Sequence, residues 1–324
     1  MELKREAISF IDFEPEAADF LSEVLDGLTR PQKSLPCKFF YDSRGAALFD
    51  EICRLPEYYP TRAEHSIIVE NGAEIAALAG PSAAVIEFGS GSGLKTRALL
   101  EALETPSAYI AIDIARDALL ASTRALARER PDLEVIAVCA DYGAGLDRLP
   151  EIKGAAVRRL GLFLGSTIGN FEPDEAIGFL RTARALLGPG GALLIGADLW
   201  KQREVLQAAY DDSRGVTAAF NMNLLRRINR ELGGNFNLGA FRHEARCVED
   251  TRRIEMHLVS AVRQQAVIPG HRFFFGIGET IHTENSHKYT VEGFHAMARM
   301  AGFAPRQTWL DRAERFSLHY LDAA

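Results

Sequence analysis

Residues 87 to 100 read EFGSGSGLKTRALL, which brings an acid, glycines at 89, 91 and 93 and a lysine into one short stretch. Glycine lets backbone approach a ligand closely and adopt conformations closed to other residues. Downstream, Asp113 ends the run AYIAID, and Asp141, followed by Tyr142, ends LEVIAVCAD. An acid can accept hydrogen bonds from ribose hydroxyls or from a base amino group, and an aromatic ring can stack on a base. The set therefore suits a cofactor containing a nucleoside.

Three loop types compete for the glycine-rich stretch. A phosphate-binding P-loop needs glycine immediately before its lysine, because the backbone there wraps around phosphate oxygens. Leu94 occupies that position, and only ALLIGAD, ending at Asp198 where a Walker B acid would stand, speaks for this reading. The dinucleotide fingerprint G-x-G-x-x-G uses its third glycine to pack helix against strand, and Leu94 again fills the place. A ligand-free strand-to-helix turn is the bland alternative. The third reading is the loop that passes beneath the methionine part of S-adenosylmethionine, where small residues let the backbone approach the ligand. Asp113 would then meet the ribose, Asp141 the adenine amino group and Tyr142 the adenine face. Asp113 alone discriminates little, since an acid there also serves NAD. The glycine loop, Asp113, the Asp141–Tyr142 pair and the GPGG turn at 188–191 follow one another along successive strand-like segments, and the third reading is favoured.

The elements that must position these residues follow from periodicity. AAVIEFG, AYIAID, LEVIAVCADY and RLGLFLG are short apolar runs of the kind buried in parallel sheets. Helical patterns separate them: SIIVENGAEIAALAG comes before the first, then KTRALLEAL and DALLASTRALARER. DEAIGFLRTARALL leads through the turn GPGG into a fifth strand, ALLIGADLW. This alternation predicts an α/β fold with a doubly wound, mostly parallel sheet. The pattern breaks over 200–285, where helical stretches precede apparent strands RRIEMHLVSAV and HRFFFGIGETIHTE; the first 60 residues fit neither pattern. The expected organisation is a core of 64–199 and 286–324 and a discontinuous α+β domain of 1–63 and 200–285. The second domain should cover the carboxyl edge of the sheet within one chain, which favours a monomer.

The composition is that of an ordinary globular protein. Of 324 residues, 47% are hydrophobic and 25% charged, and the net charge is −7. Basic clusters such as RRINR at 226–230 are short, which argues against nucleic acid as a partner. Four scattered cysteines, at 37, 53, 139 and 247, form no CxxC pair and suit a reducing compartment. No apolar run approaches a membrane span, and the acidic N-terminus does not suit a signal peptide. The expectation is a cytoplasmic protein that contacts no membrane.

Five longer motifs extend the reading: FFYDSRGAALFDEICRLPEYYPTRAE, EFGSGSGLKTRALL, FLGSTIGNFEP, YDDSRGVTAAFN and ETIHTENSHKY. Through them, over nearly its whole length, the chain resembles the histidine Nα-methyltransferases of ergothioneine biosynthesis, which trimethylate histidine to hercynine. The resemblance implies a Rossmann-like methyltransferase core and a second domain built from the N-terminus and an insert. It implies S-adenosyl-L-methionine as cofactor, held by Gly89, Lys95, Asp113, Asp141 and Tyr142, with S-adenosyl-L-homocysteine as product, no metal, and an amino acid as substrate. It puts Tyr58 and Asn170 at the substrate amino group as the catalytic pair, and Tyr210 and Thr217 at the carboxylate. Glu284 and Ser286 fall at the imidazole, with Tyr41 and Met256 near the same ring, and Gly165 and Asn285 complete the substrate set. The bottom-up chemistry agrees, because transfer from a sulfonium needs an unprotonated amine aligned with the methyl carbon.

Each residue also has a plain structural reading. Tyr41, Tyr58 and Met256 could be packing residues, Glu284 half of an ion pair, and Asn170 the cap of a helix beginning near Pro173. His282 and His287 bracket the TENS segment, but no third metal ligand stands at suitable spacing. Competing functions are methylation of another amino acid such as a tryptophan derivative, a NAD-type oxidoreductase, and a non-catalytic cofactor-binding module.

Overall fold

The computed structural model describes residues 8–13, 18–91, 93–141 and 158–323. The chain divides into two compact units, one of Met1–Pro15, Pro60–Trp200 and Tyr289–Ala324, the other of Glu16–Tyr59 and Lys201–Lys288. Elements are numbered in chain order across both.

The first unit holds β1 (Ile8–Asp12), α3 (Pro60–Ala79), β3 (Ala84–Phe88), α4 (Leu94–Ala102), β4 (Ala108–Asp113), α5 (Arg116–Glu129) and β5 (Glu134–Cys139). After residue 158 come β6 (Arg159–Phe163), α6 (Pro173–Leu187), β7 (Ala192–Asp198), α9 (Val291–Met300), β13 (Phe303–Leu310) and β14 (Phe316–Ala323). They form an eight-stranded sheet in the order β1-β5-β4-β3-β6-β7-β14-β13. Pairing is parallel from β1 to β7, while β14 runs antiparallel to both β7 and β13. Every residue of β3 and of β7 is buried, which is why these strands read as unbroken apolar runs instead of alternating ones. The helix α6 buries Ala176, Phe179, Leu180, Ala183 and Leu187, an i, i+3, i+4, i+7 stripe. Phe179 meets Phe163 of β6 with ring centroids 4.3 Å apart.

Strands β3, β4 and β5 step outward in one direction, and the chain then returns to lay β6 on the other side of β3. The order reverses there, and in open α/β sheets the crevice outside the carboxyl ends at such a point binds ligands. The segments leaving that point are 89–93, after β3, and 164–170, after β6. This is the expected mostly parallel, Rossmann-like sheet.

The second unit contains α1 (Ala18–Thr29), β2 (Lys33–Ser34), α2 (Ser43–Ile52), α7 (Arg203–Tyr210), α8 (Val216–Glu231), β8 (Phe241–Val248), β9 (Arg253–Ser260), β10 (Gln264–Ile268), β11 (His271–Phe275) and β12 (Thr280–His287). Strands β2-β12-β9-β8 form one sheet and β10-β11 a separate hairpin. Asp42 fastens the two chain segments of this unit. Its carboxylate accepts from the Gly45 amide at 2.8 Å, capping α2, and from Asn223 at 2.7 Å and Arg230 at 2.6 Å on α8. Phe40 stacks on Phe220 of α8 at 4.4 Å.

Three expectations need correction. Residues 1–63 do not all join the second unit: β1 pairs with β5 in the large sheet, and α3, beginning at Pro60, belongs to the first unit. The segment ISFID is five residues of mixed burial at a sheet edge, so it carries no clear period. The insert closes at Lys288, not 285. Finally, FRHEARCV and QQAVI are strands β8 and β10, and HRFFFGIGETIHTE breaks into two strands around Gly278, whose φ is +79°. Among the described residues, no helix is long and apolar enough to cross a membrane.

Candidate active site

The predicted site residues fall into two groups, one on each unit. On the first unit, the loop after β3 places Gly89, Gly91 and Gly93 at φ +77°, +46° and +69°. A side chain at any of them would be strained, which accounts for the alternate glycines. Asp113, at the end of β4, reaches back to this loop. Its Oδ1 accepts from the Ala115 amide at 2.9 Å, and its Oδ2 from the Gly91 amide at 3.4 Å and the Ser90 hydroxyl at 3.5 Å. Burial raises the Asp113 pKa, and the amides of Ala115 and Gly91 oppose that rise.

Beneath the loop, Glu87 is buried and accepts from Thr96 at 2.6 Å and from the Tyr109 hydroxyl. Burial pushes its pKa up to about 7, the two hydroxyls pulling the other way. Glu87 thus ties β3 to β4 and α4. Lys95, on the first turn of α4, donates to buried Glu64. Asp141 follows β5; Tyr142 lies outside the described residues.

Past β6, Gly165 and Ser166 both take left-handed conformations, with φ +80° and +58°. They lead into a 3₁₀ turn, Thr167–Asn170. The helix α6 starts at Pro173, and its cap is Glu172, whose amide donates to the Glu175 carboxylate at 3.0 Å. Asn170 is therefore not the helix cap.

On the second unit, aromatic rings cluster around Tyr58. Its ring lies 6.2 Å from that of Tyr210 and 6.1 Å from that of Phe49, both edge-on. Tyr41 is 5.7 Å from both Phe49 and Phe220. Burial, reinforced by neighbouring Tyr210, raises the Tyr58 pKa well above the ordinary phenol value, so the hydroxyl stays neutral. Such a cluster can receive an amine that becomes a permanent cation, because ring faces attract positive charge.

Tyr210 also belongs to a polar triangle. Its hydroxyl is 2.7 Å from Ser286 Oγ, and Lys288 Nζ donates to Tyr210 Oη at 2.9 Å and to Ser286 Oγ at 2.8 Å. Lys288 is 3% exposed. Glu284 and Ser286 share one strand parity, with Glu284 paired opposite Met256, and Lys288 follows directly after the strand's last residue, His287. Burial raises the Glu284 carboxyl pKa to about 8, and the Lys288 ammonium opposes the rise. Thr217 sits on the first turn of α8, which Asp212 anchors by accepting from the amides of Arg214, Val216 and Thr217 at 3.0, 3.0 and 2.7 Å.

A bulge in β12 between His282 and Glu284 changes strand parity, so the two side chains leave on opposite faces although two residues apart. Asn285 pairs opposite Glu255 and hydrogen-bonds His282, on the face away from Glu284. His282 also meets the third metal-ligand type that sequence spacing did not offer: ligand atoms of Glu255, His257 and His282 lie within 4.8 Å of one another. Cross-strand pairing supplies it, in place of His287. The Glu255 carboxylate already accepts from Arg253 at 2.8 and 2.5 Å and from His257 at 2.9 Å.

Sequence reading missed Lys288, Phe49 and His243. Lys288 was detectable, since it continues the alternation of Glu284 and Ser286. His243 bonds Tyr210 O at 2.8 Å and Asn221 at 2.9 Å, fixing the end of α7, and nothing in its local sequence signals this.

A family model described as "Histidine-specific methyltransferase, SAM-dependent" matches residues 20–323. The chain belongs to this family. Among the histidine-specific methyltransferases, it is 43% identical over 312 residues to the histidine N-alpha-methyltransferase of Mycolicibacterium smegmatis, covering 93% of this chain and 96% of that protein. It is 30% identical to ergothioneine biosynthesis protein 1 of Neurospora crassa, over 93% of this chain and 35% of that one. An L-tryptophan methyltransferase of Psilocybe serbica is 28% identical, with 93% and 92% covered.

Proposed function

We propose that this histidine-specific methyltransferase trimethylates the α-amino group of L-histidine, giving hercynine and opening ergothioneine biosynthesis. The observation that carries the reading is the family match, which spans both units. The residues present suit S-adenosylmethionine: three left-handed glycines keep much of the loop free of side chains, and Asp113 gives a carboxylate at the end of the second core strand. Gly89, Lys95, Asp113 and Asp141 would hold the cofactor. When bound, it supplies an electrophilic methyl group on a positive sulfur.

The chain's own residues have to present an unprotonated amine in line with that methyl. Tyr58, kept neutral by burial, and the Asn170 carbonyl can orient the amine without adding charge. Each round would exchange the cofactor's S–CH3 bond for one N–C bond, with neutral S-adenosylhomocysteine leaving and one proton released, which solvent can take. Aromatic rings near Tyr58 tolerate the growing cation. Tyr210 and Thr217 would bind the carboxylate, and Glu284 and Ser286, with Tyr41 and Met256, the imidazole. Glu284 offers a ring N–H an acceptor that an indole would use less well. We read the enzyme as a cytoplasmic monomer.

Mass spectrometry of the protein with S-adenosylmethionine and an equal mixture of amino acids tests this reading. Histidine alone should gain one, two and then three methyl groups. Methylation of tryptophan would instead favour the Psilocybe-like specificity and remove the roles given to Glu284 and Met256.

A further inference from the structure

Glu64 lies five residues into α3, in the run PTRAEHSIIVE, where it reads as an ordinary helix acid. In the structure it is 0% exposed. Its two oxygens accept from the Gly165 amide at 3.0 and 2.7 Å, and one of them also accepts from Lys95 Nζ. The sheet makes room for it: a Cβ on Gly196, in the middle of β7, would stand 1.9 Å from Glu64 Oε1. The next residue of the same loop, Ser166, accepts from the Asp198 amide at 2.9 Å. The segment that carries Asn170 is thus fastened at its start by Glu64 and by the end of β7.

Stability does not account for such a group. A buried ion pair is commonly no more stabilising than apolar residues of the same volume, and either partner left alone is costly. Charge does account for it. S-adenosylmethionine carries a sulfonium, and an uncompensated lysine beside its loop would repel it.

We propose that Glu64 is a positioning residue for methyl transfer. It cancels the Lys95 charge next to a cationic cofactor while anchoring the Gly165 amide at the head of the Asn170 loop. The inference rests on the cofactor-side reading of Lys95 above. It separates charge from shape, because S-adenosylhomocysteine differs from S-adenosylmethionine by the methyl and its positive charge.

Calorimetric titration of each ligand into the full-length protein provides the test. Glu64→Gln keeps the shape and leaves the Lys95 ammonium uncompensated. It should weaken S-adenosylmethionine relative to S-adenosylhomocysteine by about tenfold. Lys95→Met should shift the same ratio the opposite way, and the double variant should restore it. Equal weakening of both ligands in Glu64→Gln, or none, overturns the charge role of Glu64 while Lys95→Met still shifts the ratio. A Lys95→Met protein with both affinities unchanged overturns the Lys95 reading itself, and the inference with it. If Glu64→Gln does not fold, the direction of the Lys95→Met shift decides alone: a ratio that moves toward S-adenosylmethionine supports a buried negative charge at this point, and any other result refutes it.

Discussion

In the proposed function, Glu284 would concentrate the chemistry of substrate choice in one carboxyl group. Burial holds its pKa at about 8, well above the ordinary carboxylate value, against the pull of Lys288. Below that pH the free protein can present a protonated acid to a neutral imidazole nitrogen, and the pair shares one proton whichever partner holds it. The same shift has a stability consequence of definite sign. The folded state keeps a proton that the unfolded chain, with a value of 4.5, gives up. Stability contributed by this group therefore falls as pH rises from about 4.5 to about 8. Glu284→Gln removes that loss, so its unfolding temperature relative to the parent should rise between pH 5 and pH 9, by more than about 4 °C. Differential scanning fluorimetry without ligand would read it, and a pH-independent offset would contradict the assignment. Glu87 titrates in the same sense, so only the difference between the two proteins is diagnostic. The type of Glu284 was legible from the TENS segment, but its environment was not. The bulge before Glu284 sets which face that residue takes, and Lys288, just past the end of β12, is close enough for its charge to oppose the rise.

Elements present these residues, and the start of α8 is the clearest case. YDDSRGVTAAFN contains two adjacent acids ahead of a helix, and only one of them, Asp212, gathers three amides of the first turn. Burial works against its ionisation, yet the amides of Thr217 and Val216 hold its pKa below the usual value. Asp212→Ala should cost about 1–2 kcal/mol, as for other lost N-terminal caps. Because Thr217 rides on that turn, KM for the amino acid should rise more than kcat falls, with cofactor affinity unchanged. Steady-state kinetics beside a cofactor titration would check it, and a loss of cofactor binding equal to the rise in KM would count against this placement. Elements were unequally legible. The core strands were readable because burial on both faces makes them continuous apolar runs. Strand β8, FRHEARCV, alternates charged residues on an exposed face with Ala245 and His243 on the other, and its polar content hid it. β1 was hidden by its length, since five residues at a sheet edge gain their identity from their partner β5.

At the scale of the whole molecule, each unit is assembled from segments far apart in sequence, and this makes the N-terminal segment testable. Residues 16–59 supply α1, β2 and α2 to the second unit, where β2 pairs in parallel with β12 through Lys33 and Ser34. Lys33 also pairs with Glu279. Phe40 packs on Phe220, and Asp42 ties down Asn223 and Arg230. Without that segment, Phe220 of α8 loses the ring it stacks on, and one edge of β12 loses its pairing with β2. The first unit loses only β1, the edge strand of an eight-stranded sheet. A chain beginning at Pro60 should therefore keep cofactor affinity within about tenfold, bind a hydrophobic dye such as ANS, lose near-ultraviolet dichroism from the aromatic cluster, and methylate nothing. Retained methylation would mean that residues 201–288 fold and bind substrate unaided, and the two-segment account of this unit would fall. Loss of cofactor binding together with methylation would mean that the sheet carrying Gly89 and Asp113 depends on β1 far more than an edge strand should.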